Sequence, residues 1–172
     1  ASLRAQMGIV TQDPVMFSGT IRENIAYARP DGPLQEVEAA ARHAEADTFI
    51  ARLPRGYDTP ILEGGVNLSV GQRQLVSIAR ALYADPRILI LDEATSSVDS
   101  VTEMQIQRVL ARLLATRTAV VIAHRLSTIR AAHRIYVLEE GRIAEAGTHE
   151  ELLKKGGFYA GIYQSQFETA EV

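Results

Sequence analysis

The chain has 172 residues and a formal net charge of -3, and its 47% hydrophobic and 23% charged content is that of one globular domain large enough to bury a core. It has no cysteine, which excludes disulfides, thiolate metal sites and cysteine nucleophiles, and the slightly acidic balance argues against nucleic-acid partners. No apolar run approaches the roughly 20 residues that span a bilayer, and no signal peptide opens the sequence, so any membrane is expected to come from another part of the polypeptide or from a partner.

In chain order, Gln6 to Val10 reads as a short strand that ends before Pro14. Thr20-Ile21-Arg22-Glu23 has the spacing of a capping box and predicts a short helix through Ala26. Gly32-Pro33 opens a second helix from Leu34 to about Glu45, with the proline in its first turn, and a further helical stretch covers about Thr48 to Leu53. Pro54, Gly56, Pro60, Gly64 and Gly65 make the next segment loop-rich. Ser69-Val70-Gly71-Gln72 is a second capping box; behind it Leu75, Ile78, Ala79 and Leu82 recur at helical spacing until Asp85-Pro86 stops the helix.

Ile88-Leu89-Ile90-Leu91 is a continuous apolar run, expected of a strand buried on both faces. A helix follows from about Asp99 to Leu114, and Ala119 to Ala123 reads as a second buried strand. Ile135 to Leu138 and Arg142 to Ala144 flank Glu139-Glu140-Gly141, a hairpin signal. Thr148-His149-Glu150-Glu151 is a third capping box and opens a C-terminal helical region. Alternating strands and helices imply an α/β domain with a mainly parallel sheet. The helix-rich stretch from Thr20 to Asp85 is long enough for a small helical subdomain.

The apolar strand that ends in Asp92-Glu93 carries the first chemistry. In an open parallel sheet, ligands bind beyond the carboxyl ends of the strands. There one carboxylate can hold Mg²⁺ through water and a second can take a proton from an attacking water; the plainer alternative is a polar turn. His124 stands at the end of the next apolar strand, where an imidazole can hydrogen-bond a phosphate oxygen. His43, His133 and His149 fall within or beside helix and hairpin signals and are read as structural. Ser69 and Gly71 stand at a helix N-terminus, whose free N–H groups and positive dipole end attract anions.

In their order along the chain, Gln12 after a strand, Leu68-Ser69-Val70-Gly71-Gln72, Asp92-Glu93, Ser96-Ser97-Val98-Asp99 and His124 resemble the ATPase domain of ABC transporters, from about Arg4 to Phe167. Phe17-Ser18-Gly19-Thr20-Ile21-Arg22-Glu23-Asn24-Ile25 and Gly147-Thr148-His149-Glu150-Glu151-Leu152 are similar to the exporter branch, where that domain follows a transmembrane domain in one polypeptide. The resemblance implies a P-loop NTPase (RecA-like) α/β core with an ABC-type helical subdomain. Its parts would be a Q-loop segment at 1–19, the helical subdomain with the signature motif at 20–85, and the remaining core with C-terminal helices at 86–172.

The resemblance also implies ATP and Mg²⁺ as ligands. Asp92 and Gln12 would serve the metal, Glu93 would be the catalytic base and His124 the switch histidine. Ser69, Gly71 and Gln72 would contact the γ-phosphate of ATP held by the opposite subunit, and Asp99 would close the D-loop at the dimer interface. Glu63 matches an acid that faces the membrane domain. The implied partners are a second ABC ATPase domain, identical or not, and a transmembrane domain of the same polypeptide, at the cytoplasmic face of the cell membrane.

Three departures stand out. Val70 replaces a glycine of the family signature, with tuning rather than loss expected, and Leu62 replaces the glycine before Glu63. The phosphate-binding motif G-x-x-x-x-G-K-[ST] is missing, and no lysine precedes Lys154. Since the family places that loop before the Q-loop, the chain is expected to be a C-terminal piece of the domain, inactive alone. Its strands at 119–123 and 135–138 are then expected to lack a shared neighbour. The contrasting reading is a non-catalytic dimerisation module with a degenerate ABC fold.

Overall fold

The computed structural model describes residues 3–92, 99–123 and 126–166, and the chain divides into one compact unit ending at Ile122 and another beginning at Ala123. In the first unit, β1 (Met7–Val10) is followed by β2 (Gly19–Thr20), α1 (Ile21–Ile25), α2 (Leu34–His43) and α3 (Asp47–Ile50). Then come β3 (Pro60–Ile61), α4 (Val70–Ala84), β4 (Ile88–Asp92), α5 (Ser100–Leu114) and β5 (Thr118–Ile122).

Local chemistry starts and stops these helices. The Thr20 hydroxyl accepts from the Glu23 N–H (3.2 Å) while a Glu23 carboxylate oxygen accepts from the Thr20 N–H (2.6 Å), which closes the first capping box and holds the Glu23 carboxyl below its usual pKa. Pro33 is the N-cap of α2 rather than a residue of its first turn. At the end of α4, Asp85 adopts a left-handed conformation (φ 47°, ψ 54°) just before Pro86. The third helical stretch is shorter than the sequence implied, and the β2–β3 antiparallel pair, Gly19 opposite Ile61, had no local sign.

The main sheet is parallel with strand order β1-β4-β5. Its register aligns Gly8 with Leu89 and Ala119, and Val10 with Leu91 and Val121, so these residues share one face. Val10, Leu89 and Leu91 are buried there in one cluster with Leu75, Val76 and Ile78 of α4 and Ile106, Val109 and Leu113 of α5. The other face carries Ile9, 61% exposed, Val120, 56%, and Ile122, 53%. Full burial of both apolar runs was expected and is corrected here. β4 alternates buried with half-buried positions and β5 leaves one face open, because the core of this unit gathers on one side of the sheet.

The second unit contains α6 (Leu126–Ala131), β6 (Ile135–Glu139), β7 (Arg142–Gly147), α7 (His149–Lys155) and α8 (Phe158–Gln166). β6 and β7 form the expected hairpin, with a bulge between Val137 and Leu138. Thr148 and Glu151 close the third capping box. Val137, Leu152 and Tyr159 form a small core. Glu145, only 8% exposed, accepts from the Tyr159 N–H (2.9 Å) and from Lys155 Nζ (3.3 Å). Those backbone donors, with Lys155, hold its carboxyl below the usual glutamate range. A Cβ at Gly157 would meet the Glu145 carboxylate and displace it.

A depressed carboxyl pKa contributes stability above the unfolded value, and that contribution fades as pH falls below about 4.3 towards the folded value. Glu145→Gln should therefore speed hydrogen exchange of the first α8 amides relative to the parent at neutral pH, and the difference should shrink at pH 3. Separately, among the described residues β5 pairs only with β4 and β6 only with β7. Bare apolar edges recruit other chains, so the 172-residue chain produced by itself should show concentration-dependent association in light scattering.

Candidate nucleotide site

The parallel register brings two of the expected site residues to one edge. Val10, Leu91 and Val121 lie side by side, so all three strands end together. Asp92, half-buried, is the last residue of β4, and Gln12, exposed, lies two positions past the end of β1. Glu93 and His124, which follow β4 and β5 in the chain, lie outside the described residues, as do Ser96, Ser97 and Val98. The donors placed at this edge are a carboxylate and a side-chain amide oxygen, both hard oxygen ligands. Among the described residues no group of three His, Asp or Glu side chains could hold a metal by itself.

The second location is the start of α4. The Ser69 hydroxyl accepts from the Gln72 N–H (3.2 Å), and the Gln72 carbonyl oxygen accepts from the Ser69 N–H (2.9 Å). This box uses the hydroxyl as an acceptor and the amide through its oxygen, which leaves the hydroxyl proton and the Gln72 NH₂ for an outside acceptor. Gly71 is buried in the first turn. Val70 is helical, not in the positive-φ region, so the family's glycine is not needed for backbone geometry. Only the turn at 85–87 joins α4 to β4, so Ser69 and Asp92 occupy the far ends of two consecutive elements.

Asp99 caps α5 by accepting from the Thr102 N–H (3.0 Å), and that bond holds its carboxyl below the usual aspartate range. Glu63 is exposed on a single turn, and His43 and His133 are exposed. His149 Nδ1 lies 2.7 Å from the Tyr159 hydroxyl, a structural contact. A cleft of about 240 Å³ opens beside Phe17, Arg22, Glu23, Tyr27 and Pro30, away from both locations. Sequence reasoning missed Asn24 and Arg80, which bind the segment after Gln12. Asn24 is 1% exposed, but Arg22 and Glu23 beside it are polar too, so no local pattern singled it out.

With its parallel sheet, shared carboxyl edge and intervening helices, the chain has the fold class of P-loop NTPases. The family model described as "ABC transporter" matches residues 1–96. The chain belongs to the ABC transporter family. It is 58% identical over 168 residues to the uncharacterized ABC transporter ATP-binding protein YfiC of Bacillus subtilis, covering 98% of this chain and 28% of that protein. It is 52% identical over 169 residues to the ATP-dependent lipid A-core flippase of Chromohalobacter salexigens, covering 98% and 29%. A solved bacterial Atm1-family ABC exporter with ATP bound superimposes with a TM-score of 0.84 at 48% identity, covering 95% of this chain and 29% of the other. The chain thus spans less than a third of the length of each. Among the described residues no helix is long and apolar enough to cross a membrane.

The capping role of Ser69 has its own test. Ser69→Ala should cost about 1 kcal/mol of stability with or without nucleotide, the usual worth of an N-cap, as read from denaturant midpoints.

Proposed function

We propose that this chain is part of the ATP-hydrolysing domain of an exporter, working at the cytoplasmic face of the cell membrane with a transmembrane domain of the same polypeptide and a second ABC ATPase domain. The supporting observation is the common carboxyl edge that carries Asp92 and Gln12. Residues 1–19, 20–85 and 86–172 serve as Q-loop segment, helical subdomain and remaining core.

Asp92 and Gln12 are the oxygen donors for Mg²⁺, which when bound offsets phosphate charge. Glu93 accepts the proton of the attacking water and His124 hydrogen-bonds a phosphate oxygen. Ser69, Gly71 and Gln72 offer the hydroxyl proton, the amide N–H groups at the start of α4 and the side-chain NH₂ to ATP held by the other subunit. Asp99 fixes the start of α5 at that interface. Phosphoryl transfer rests on positioning and electrostatic stabilisation of the phosphates. The 172 residues contain no G-x-x-x-x-G-K-[ST] motif, which supports the reading that by themselves they are inactive as an ATPase.

In the full-length protein, Glu93→Gln should slow ATP turnover by about 10²-fold or more, the reach of general-base catalysis, while ATP binding persists. Near-parental turnover in that variant removes Glu93 from the role, whereas no turnover above background in the full-length parent favours the non-catalytic dimerisation module. Calorimetry of the 172-residue chain with ATP should show no binding at micromolar nucleotide.

A further inference from the structure

Arg80 lies in the last half of α4 and makes bonds that core packing alone does not call for. Nε donates to the carbonyl of Asn24 (2.8 Å), one terminal nitrogen to the carbonyl of Val15 (2.8 Å) and the other to Asn24 Oδ1 (2.8 Å). The guanidinium carbon sits 4.8 Å from the centre of the Phe17 ring. Among the described residues no carboxylate pairs with it, and burial pushes its pKa down. Arg80 is half-buried, and even a partly desolvated charge is a costly way to fill space that an apolar side chain fills better. A planar guanidinium does what an apolar chain or a lysine cannot, since it donates in three fixed directions at once.

Asn24 completes the knot. Its Nδ2 donates to the carbonyls of Phe17 (2.9 Å) and Thr20 (3.0 Å), and its Oδ1 accepts from the Phe17 N–H (2.9 Å) as well as from Arg80. The segment from Thr11 to Ser18, which carries the exposed Gln12, has no regular secondary structure. It is anchored by the buried Met16 side chain and by this knot on Val15 and Phe17. The same helix that holds the knot begins at Ser69. α4 has 15 residues and so forms a rod about 22 Å long.

We propose that Arg80 is a positioning residue that ties the Gln12 segment to α4, so that a displacement of Gln12 at the carboxyl edge is carried along one helix to Ser69. The proposal rests on the reading of Gln12 and Ser69 as nucleotide contacts. The end of α4 supplies a control of similar build. There the Tyr83 hydroxyl donates to the Arg29 carbonyl (3.1 Å), Arg29 donates to the Tyr83 carbonyl (3.1 Å), and the two stack at 4.5 Å. That clasp holds α4 to the turn at Arg29 and does not touch the Gln12 segment.

The test uses the full-length protein and the non-hydrolysable ATP analogue AMP-PNP, with hydrogen exchange read at residues 11–18 and 69–75 across a nucleotide titration. In the parent and in Tyr83→Leu, both segments should respond with one midpoint. In Arg80→Lys, the midpoint for 69–75 should move about tenfold above that for 11–18, and kcat for ATP should fall by a similar factor with KM changed less, a coupling of ordinary size. Coincident midpoints in Arg80→Lys, or the same separation in Tyr83→Leu, overturn the proposal. If Arg80→Lys does not fold, Phe17→Leu, which removes the ring beneath the guanidinium and keeps the backbone acceptors, should separate the midpoints in the same direction; coincidence there overturns it equally. Gln12→Ala and Ser69→Ala distinguish the two levels. Parental kcat in both removes the site reading and this proposal with it. Lost turnover in both, with Arg80→Lys behaving like Tyr83→Leu, removes this proposal alone.

Discussion

The in-register parallel pairing of β1, β4 and β5 is the constraint on which the rest depends. With Val10 beside Leu91 and Leu91 beside Val121, every strand of the sheet ends on the same line. Parallel strands cannot be joined by tight turns, so each return to the amino edge goes through helices. That requirement places α1 to α4 between β1 and β4, and α5 between β4 and β5. It also puts whatever follows each strand at one edge. A slip of one residue in β4 would turn Leu89 and Leu91 out of the core and move Asp92 with them. The apolar cluster under the sheet therefore fixes the position of the carboxylate.

The second location depends on economy in hydrogen bonding. Ser69 and Gln72 satisfy each other's backbone at the start of α4 and keep donors in reserve. One pair of side chains thus starts the helix and leaves further donors at its positive end. The same reciprocal device starts α1 and α7, where the partner is a glutamate. Glutamate suits those ends by adding negative charge near the positive helix terminus. At α4 the neutral glutamine leaves that terminus attractive to a phosphate.

The one-sided core explains the remaining features of the first unit. Val10, Leu89 and Leu91 on the α4 and α5 side are buried and Val121 is half-buried, whereas Ile9, Val120 and Ile122 on the other face are exposed. The second unit has its own small core, and its hairpin is joined to its last helix by the buried Glu145 carboxylate accepting the Tyr159 N–H. In both units the tie is made by a charged side chain whose partners are distant in sequence, Arg80 between α4 and the segment after Gln12, and Glu145 between β7 and the start of α8.

Features governed by short-range physics were legible from the residues alone. The three capping boxes, the stop at Asp85-Pro86, the hairpin around Gly141 and the alternation of strands with helices each depend on residues within a few positions of one another, so they were legible from local spacing. The order of Gln12, Ser69, Asp92 and Asp99 was likewise enough to indicate the family. Which face of each apolar strand is covered emerged from the folded packing, because a run such as Ile88 to Leu91 has the same pattern whether one side or both are packed. The same packing paired Gly19 with Ile61 and joined Arg80 to Val15 and Asn24. Those contacts link residues more than 40 positions apart, and sequence spacing carries no information about hydrogen-bond partners that only the folded chain brings together.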